Sequence, residues 1–325
     1  MRVAVVGATG ALGGELLSVL DETRLPIDAL VPIATDRSLG ADVEFQGMSM
    51  AVETSLAALR GADLAFLCAP PSASLEATRL CLHGKVVVVD ASGALASAPE
   101  VPLVAELHVA GAPALDAPAL AIPPGLALAA ARVLGPLHRA LGGVAHVGAT
   151  LLASASAAGR AGVSALSDET IALLSQSDAP DPPALGHPIA FDVLPWDGAI
   201  DDTDTTPGER AFETVIGRVL GGAPVSATAL RVPVFCGDSA VLAVEATGPA
   251  TVAAAIEALA KAEGLELGAP APTTRAAAGS ADVHVGRIRR DPARERGVLL
   301  WLAADGLRLT AAHAVRVAEA RFGRV

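Results

Sequence analysis

Three glycines near the start of the chain have the spacing of a turn that holds a phosphate. Gly7, Gly10 and Gly13 follow the β-branched run at residues 3–6 and precede a segment with helical periodicity, so they lie between an expected strand and an expected helix. Glycine lets the backbone approach a pyrophosphate closely, and the helix N-terminus supplies unpaired N–H groups. The pattern predicts a dinucleotide-binding turn made of Gly7, Ala8, Thr9, Gly10, Ala11, Leu12 and Gly13.

A short polar segment after the second expected strand bears on which dinucleotide would bind there. Asp36 has the chemistry that commonly accepts a hydrogen bond from a ribose 2′-hydroxyl, as in NAD sites. Arg37, with the hydroxyl groups of Thr35 and Ser38 beside it, suits the 2′-phosphate of NADP instead. Three groups suited to a 2′-phosphate outweigh one acid, so the segment favours NADP. Because of Asp36, NAD stays open as the alternative.

A second group of reactive side chains lies much later in the chain. Arg231 stands between Leu230 and Val232 in an apolar run, where an unpaired charge is expensive. Its partner is either a ligand carboxylate or an internal one such as Asp238, and the sequence leaves both open. Cys236 is a candidate nucleophile, but no histidine lies close in sequence to activate it, which favours a packed thiol.

The elements that must position these residues divide the chain into two kinds of region. Early in the chain, short apolar runs alternate with helical segments, as in parallel strands joined by crossover helices. After about residue 143 longer alternating segments appear. We expect an α/β fold with an N-terminal Rossmann-type, doubly wound parallel sheet and a second α+β domain for dimerisation or substrate. The expected domains are residues 1–124, completed by a C-terminal helix at 306–325, and residues 125–305.

Individual strands follow from the same patterns. In the first region they are expected at residues 3–6, 27–33, 63–69, 85–90 and 119–122, and in the second at 144–154, 225–235, 240–246, 282–288 and 298–303.

Composition argues against several classes of protein. The formal net charge of −12 and the 2% share of aromatic residues oppose binding to nucleic acid or to an anionic membrane. The long apolar stretch at 115–134 contains prolines and a glycine that a spanning helix tolerates poorly. Three cysteines without paired spacing, no metal-ligand spacing and no signal-like start predict a cytoplasmic protein without disulfides or a metal.

Several longer motifs resemble those of the aspartate-semialdehyde dehydrogenase family, and more closely a divergent paralogous branch of it. Besides the glycine turn, the resemblance rests on runs spread over nearly the whole length, of which Pro188-Ile189-Ala190-Phe191 and Arg231-Val232-Pro233-Val234-Phe235 are the most specific. The others are Arg37-Ser38-Leu39-Gly40, Val101-Pro102-Leu103-Val104, Gly135-Pro136-Leu137-His138, Ser154-Ala155-Ser156-Ala157-Ala158-Gly159 and Ala314-Val315-Arg316-Val317-Ala318-Glu319.

The resemblance implies a homodimer or homotetramer that reductively dephosphorylates an acyl phosphate with NADPH, through a thioester on a cysteine. Ungapped counting from Pro136-Leu137-His138 places the family's nucleophile on Gly125. Counting from Arg231 places its histidine base on Asp238. Because glycine carries no nucleophile, a base at Asp238 has no thiol to deprotonate there, and no catalytic residue is predicted.

The family's other functional positions are also changed. Its phosphate-binding arginine falls on Ala96, its positioning glutamine on Ala153 and its nicotinamide-contacting asparagine on His313. Only Arg231, the expected carboxylate clamp, matches the family among the substrate-binding positions.

These differences predict a catalytically degenerate, NADP-binding member of the family. Two other functions stay open. One is an active NADP-dependent oxidoreductase of the semialdehyde dehydrogenase type in amino-acid biosynthesis, which would use Cys236 or transfer hydride directly to a carbonyl held by Arg231. The other is a regulatory or scaffold subunit that pairs with an intact paralogue.

Overall fold

The computed structural model describes residues 1–107, 109, 113–178, 185–268 and 271–323. The chain forms two compact units, Met1–Pro124 with Thr310–Val325, and Gly125–Leu309. The first unit therefore takes the C-terminal helix from Thr310 onward, four residues later than the expected start at 306. The helix as a whole begins at Gly306, next to Asp305, which accepts hydrogen bonds from Cys236 and Gly279 of the second unit.

The first unit contains a five-stranded parallel sheet in the order β2-β1-β5-β6-β7. Each strand is a short apolar run, which suits a sheet that is buried on both faces. This parallel sheet confirms the α/β fold predicted for the N-terminal region. Its strands are β1 Arg2–Val6, β2 Ala29–Ile33, β5 Leu64–Leu67, β6 Val87–Asp90 and β7 Ala119–Ala121, and its helices include α1 Ala11–Leu20 and α2 Pro71–His83.

A small hairpin in the first unit was not predicted. It consists of β3 Asp42–Phe45 and β4 Met48–Ala51, which pair antiparallel. Gln46 and Gly47 join them with φ values of 50° and 73°, the two positive values of a type I′ turn, whose twist matches that of the strands. Ahead of the hairpin, Asp36–Ser38 form a single 3₁₀ turn.

The second unit contains a mixed six-stranded sheet in the order β11-β12-β13-β10-β8-β9. Its long central strands pair antiparallel, β8 with β10 and β10 with β13, which confirms the change of sheet type expected in this region. The strands are β8 Val144–Ala153, β9 Val225–Arg231, β10 Asp238–Ala246, β11 Leu265–Leu267, β12 Val283–Arg290 and β13 Gly297–Ala304.

Helices alternate with these strands along the chain, and one of them is largely buried. α3, Gly125–Ala140, buries the run from Ala127 to Leu137, because its alanines let neighbouring elements approach on every side. The other helices are α4 Gly159–Leu174, α5 Pro207–Val219, α6 Val252–Ala260 and α7 Thr274–Ala277, and α8 Gly306–Phe322 ends the chain's regular structure.

Several strands are shorter than the predicted ranges, and the strand that begins at Val225 differs most. Residues 225–235 were predicted as a single strand, but β9 ends at Arg231. Pro233 explains the difference, because proline has no N–H to donate to a sheet. The residues after Arg231 instead form a turn in which Ala155 N–H and Ser156 N–H donate to Val234 and Phe235.

Within the residues described, no helix combines the length and apolar character needed to cross a bilayer.

Candidate functional site

The turn between β1 and α1 is held by its own main chain. Gly7 N–H and Ala8 N–H both donate to the carbonyl oxygen of Ile33, at 2.7 and 3.1 Å. Gly10 N–H donates to Gly7 O at 2.9 Å. The turn is thus fixed to the end of β2, so the two loops that would enclose a dinucleotide are connected through backbone.

Two of its glycines are required by space, and Gly7 is also required by its backbone angle. Gly7 has φ +88°, and a Cβ there would lie 2.8 Å from Ala69 N. A Cβ on Gly13 would lie 2.1 Å from Gly7 O, closer than any side chain can sit. These glycines let α1 start directly against the turn, so that its N-terminus faces the place where a phosphate would bind.

The N-terminus of α1 has the electrostatics of an anion site. Gly10 occupies the N-cap position and supplies no side-chain hydrogen bond, and the first turn contains no acidic residue. The N–H groups of that first turn therefore have no intrahelical acceptor and can donate to an anion. A pyrophosphate fits this donor set, so the predicted cradle of residues 7–13 agrees with the backbone geometry.

The polar segment after β2 lies beside this cradle. The hydroxyls of Thr9 and Ser38 are 2.9 Å apart and share a hydrogen bond. Thr35, Asp36 and Arg37 are exposed. Both the acid and the guanidinium are therefore accessible to a ribose, and the geometry leaves the choice between NAD and NADP open.

Asp238, at the start of β10, is a buried carboxylate in the second unit. Its Oδ1 accepts hydrogen bonds from Ser154 N and Ser154 Oγ, each at 2.8 Å. Burial raises the pKa of Asp238, and nearby Asp305 raises it further, while the two Ser154 hydrogen bonds and Arg231 act in the opposite direction. The carboxylate is thus engaged in holding the end of β8.

Gly125 and Asp238, which sequence counting assigned to the nucleophile and base positions, lie close together around Gly306. A Cβ built on Gly306 would lie 2.6 Å from Asp238 Oδ2 and 3.3 Å from Gly125 Cα. Nothing lies within 4 Å of a Cβ built on Gly125, whose φ is +46°. Gly306 therefore packs closely against Asp238 and Gly125, whereas the place that a side chain on Gly125 would occupy is open.

Arg231 hydrogen-bonds to main-chain oxygens in this structure. Its Nη1 donates to Ser154 O at 3.0 Å and its Nη2 to Asp197 O at 2.6 Å. Burial lowers the pKa of the guanidinium, and the charges of Asp197 and Asp238 oppose that change. The sequence left a ligand carboxylate and Asp238 open as partners of Arg231; in the structure both of these hydrogen bonds end on main-chain oxygens, and Asp238 accepts from Ser154.

Cys236 belongs to a hydrogen-bonded chain that sequence reasoning missed. Its Sγ donates to Asp305 Oδ2 at 3.2 Å, and Ser156 also hydrogen-bonds to it. Ser156 Oγ lies 2.9 Å from Ser154 Oγ, which donates to Asp238. Two buried carboxylates are thus linked through two hydroxyls and one thiol.

This environment suppresses the nucleophilic form of Cys236. Burial, followed by the hydrogen bond and the negative charge of Asp305, raises the pKa of the Cys236 thiol to about 11. A thiol needs a lowered pKa or an adjacent base to react as thiolate at neutral pH. Cys236 is therefore a hydrogen-bond donor in this structure, as the packed-thiol interpretation expected.

The remaining family positions are apolar or already hydrogen-bonded. Ala96 is buried in the first unit, and Ala153 is the last residue of β8. His313 is buried, and its Nε2 lies 2.9 Å from Val104 O. None of these three side chains presents a cation to a phosphate.

Comparison with known protein families covers both units. Residues 2–109 match the model described as the semialdehyde dehydrogenase NAD binding domain, and residues 134–309 match that of the semialdehyde dehydrogenase dimerisation domain. The matches agree with the two-part organisation predicted from the sequence, and they identify the N-terminal unit as a nucleotide-binding domain.

Full-length relatives give the same result. The chain is 35% identical to an aspartate-semialdehyde dehydrogenase of Corynebacterium glutamicum over 340 aligned positions, which cover 98% of both proteins. It is 34% identical to the USG-1 protein homolog of Azotobacter vinelandii, covering 98% of this chain and 96% of the relative. The structure of aspartate semialdehyde dehydrogenase II from Vibrio cholerae, complexed with ASA, matches 98% of this chain and 97% of that one, with a TM-score of 0.87 and 29% identity.

Proposed function

The chain belongs to the semialdehyde dehydrogenase family, and from that premise we propose that it binds NADP without catalysing the oxidoreduction of aspartate semialdehyde. It resembles aspartate-semialdehyde dehydrogenases and contains an NAD(P)-binding domain. The observation that carries the proposal is the open space at Gly125, where the expected nucleophile has no side chain.

The chemistry expected of the family requires a thiolate, a base that deprotonates it and a cation for phosphate. Gly125 supplies no thiol, and Asp238 accepts two hydrogen bonds from Ser154. The nearby thiol of Cys236 donates to Asp305 and has a pKa of about 11, so it is poorly suited to replace the missing nucleophile. Ala96 supplies no charge. Loss at several positions together supports degeneracy more strongly than loss of the nucleophile alone.

NADP is preferred over NAD because of the segment that borders the cradle. Arg37 is exposed beside Ser38, whose hydroxyl is already connected to Thr9 of the phosphate turn. A guanidinium and a hydroxyl can both donate to a 2′-phosphate. When bound, the cofactor supplies hydride chemistry. The residues of this chain bind it: Gly7–Gly13 hold the pyrophosphate, and Arg37 selects NADP over NAD by contacting the 2′-phosphate.

The second unit is proposed to form a homodimer. Its match to a dimerisation-domain model supports this assignment, and size-exclusion chromatography with light scattering measures it directly. A single species at about 32 kDa, the mass of one chain, would contradict the assignment.

The proposed function is tested by two measurements on the same purified protein. Calorimetric titration with NADPH should give saturable binding, and an assay with aspartate semialdehyde, phosphate and NADP should give no reduction above a control without substrate. Turnover that depends on phosphate and disappears in Cys236→Ala would overturn the proposed degeneracy in favour of an active oxidoreductase. Absence of NADPH binding would overturn the cofactor assignment.

A further inference from the structure

The run Pro188-Ile189-Ala190-Phe191 is one of the two most specific motifs of the sequence, and the proposed function gives it no role. Ile189 and Ala190 are buried in one cluster with Leu166 of α4. Glu169 of the same helix accepts hydrogen bonds from the N–H groups of Ile189 and Ala190, at 2.7 and 3.0 Å. The middle of the motif is therefore fixed to α4 by packing and by backbone hydrogen bonds.

Phe191 ends this motif and turns its side chain to the solvent. The residue is 68% exposed. Its φ is 61°, in the left-handed region that bulky residues rarely adopt because the Cβ crowds the main chain. Three residues later, Leu194 and Arg231 exchange two backbone hydrogen bonds, at 2.9 and 3.0 Å. The chain is thus held on both sides of Phe191, and both its backbone angle and its exposed ring are unfavourable unless a contact outside the chain compensates them.

Further exposed apolar side chains belong to the same part of the second unit. Val193, two residues after Phe191, is 49% exposed. Ile171 and Leu174 are 60% and 73% exposed and lie three residues apart, on one face of α4. Glu169, which fixes the motif, is on the same helix two residues before Ile171. We call Ile171, Leu174, Phe191 and Val193 the apolar patch, and such patches are typical of interaction surfaces.

The occupant that suits the apolar patch is a second copy of the chain. The patch lies within residues 134–309, which match the dimerisation-domain model. A twofold axis brings the same surface of two copies together, so the surface has to be complementary to itself. Four uncharged side chains meet this requirement. Charged surfaces of two copies repel each other on average, since each chain has a formal net charge of −12.

We infer that the apolar patch forms the centre of the homodimer interface and that Phe191 is its main contact, packing against the same patch of the partner subunit. Aromatic residues are enriched at the centres of interfaces and often dominate their binding energy. The inference rests on the proposed function in that it requires the homodimer. It gives the motif a role, because Ile189 and Ala190 hold the backbone while Phe191 reaches the partner.

Sedimentation velocity over a range of protein concentrations measures the dissociation constant of the dimer. Phe191→Asn is the sharpest variant, because asparagine tolerates a left-handed backbone but removes the ring. Since a symmetric interface contains Phe191 twice, the dissociation constant should rise by about 100-fold or more, with an unchanged circular dichroism spectrum. For the wild type, raising NaCl from about 50 to about 500 mM should not weaken the dimer, because salt does not screen apolar contacts.

Two further variants test the α4 part of the patch and the specificity of the effect. Ile171→Gln combined with Leu174→Gln should also weaken the dimer, since both side chains belong to the patch. Ile256→Gln is the matched control, because it makes the same kind of change at an exposed position of α6. That helix packs against β11 and β12, at the opposite end of the sheet from β9, so its dissociation constant should equal that of the wild type.

A wild-type dissociation constant in Phe191→Asn, or an equal loss in Ile256→Gln, would overturn the inference and leave the homodimer itself intact. A wild-type chain that sediments only as a monomer of about 32 kDa would overturn the homodimer as well.

If Phe191→Asn shows loss of folding, hydrogen exchange of the wild type decides. Residues 188–194 should gain protection as the concentration rises through the dissociation constant, whereas residues 42–51 of the first unit should not. Unchanged protection of residues 188–194 on dimerisation would contradict the inference.

Discussion

The proposed phosphate cradle of the first unit is made of main chain, whereas the centre around Asp238 in the second unit depends on side chains. The cradle has the expected glycine turn, with N–H groups donating to Ile33 O and a helix N-terminus without a side-chain cap. In the second centre, by contrast, two positions are glycine and the available polar groups bind one another. A main-chain site and a side-chain centre can therefore vary independently within one fold, because the sheet and helices that make the main-chain site do not depend on those side chains.

The largest effect is expected where the cradle is tightest. In Gly13→Ala the new methyl group would lie 2.1 Å from Gly7 O, so the variant should lose at least about 3 kcal/mol of stability and bind no detectable NADPH. Thermal unfolding and calorimetry measure both effects. Gly84→Ala in the same unit, with its nearest contact at 3.4 Å, should retain binding. Wild-type affinity in Gly13→Ala would show that the cradle does not hold the cofactor.

The second prediction tests whether the thiol of Cys236, near Asp238 in the second unit, is unreactive at neutral pH. With a pKa of about 11, Cys236 should have roughly 300-fold less thiolate at pH 7.5 than a free cysteine and react correspondingly slowly with iodoacetamide. Asp305→Asn should accelerate the reaction several-fold, because it removes the acceptor's charge. The asparagine oxygen can still accept the hydrogen bond that Arg308 N, in the first turn of α8, donates to Asp305 Oδ1. Mass spectrometry of the Cys236 peptide measures the rate, and Cys236→Ala identifies the peptide. Alkylation at the rate of free cysteine would contradict the suppressed thiol.

The third prediction concerns the side chain on which the cradle's selectivity is proposed to depend. Arg37→Ala should weaken NADPH binding by about tenfold and leave NADH binding nearly unchanged, because it removes a charge-assisted hydrogen bond to the 2′-phosphate. Competitive titration with the two cofactors measures the ratio. Arg60→Ala removes another exposed arginine of the first unit and should not change it. An equal loss for both cofactors would contradict selection by Arg37.

The smallest effect expected is a change in how stability depends on pH. Burial raises the pKa of Asp238, so its contribution to stability is fully present below the unfolded-state pKa and is lost as pH rises through the folded-state pKa. Asp238→Asn should therefore raise Tm by about 2–4 °C at pH 8 and change it little at pH 4. Scanning calorimetry at the two values measures this.

A group with the opposite pKa change provides the control for that experiment. Hydrogen bonds from Thr203 and Arg210 lower the pKa of exposed Asp201, so its contribution is present at neutral pH and is lost as pH falls. Asp201→Asn should therefore lower Tm at pH 8. The same sign of change in both variants would show that the pH dependence does not arise from these carboxylates.

Much of the architecture was predictable because it follows from local patterns. Glycines at 7, 10 and 13 between an apolar run and a helical segment predicted the turn between β1 and α1, and the runs at 85–90 and 119–122 predicted β6 and β7. The β3–β4 hairpin was missed although a signal existed, since Gln46-Gly47 separates two short alternating segments. Such short exposed strands have few apolar residues, which makes their periodicity weak.

The contacts around Asp238 and Arg231 were harder to predict from the sequence. Ser154 and Asp238 are 84 residues apart, and only the pairing of β8 with β10 brings them together. The partners of Arg231 are backbone carbonyl oxygens, which every residue carries, so no residue type could reveal them. The two positions obtained by counting along the sequence, Gly125 and Asp238, nevertheless both lie beside Gly306 in the structure.

The division of α8 between the units has a consequence for how the protein folds during synthesis. Most of the first unit is made first, but Thr310–Val325, which complete it, are made only after the entire second unit. Glu319 from this last segment accepts hydrogen bonds from Thr23 Oγ1 and Arg24 N near the start of the chain. The nucleotide-binding unit can therefore be completed only after the whole second unit has been synthesised, which differs from the usual order in which the N-terminal domain is finished first.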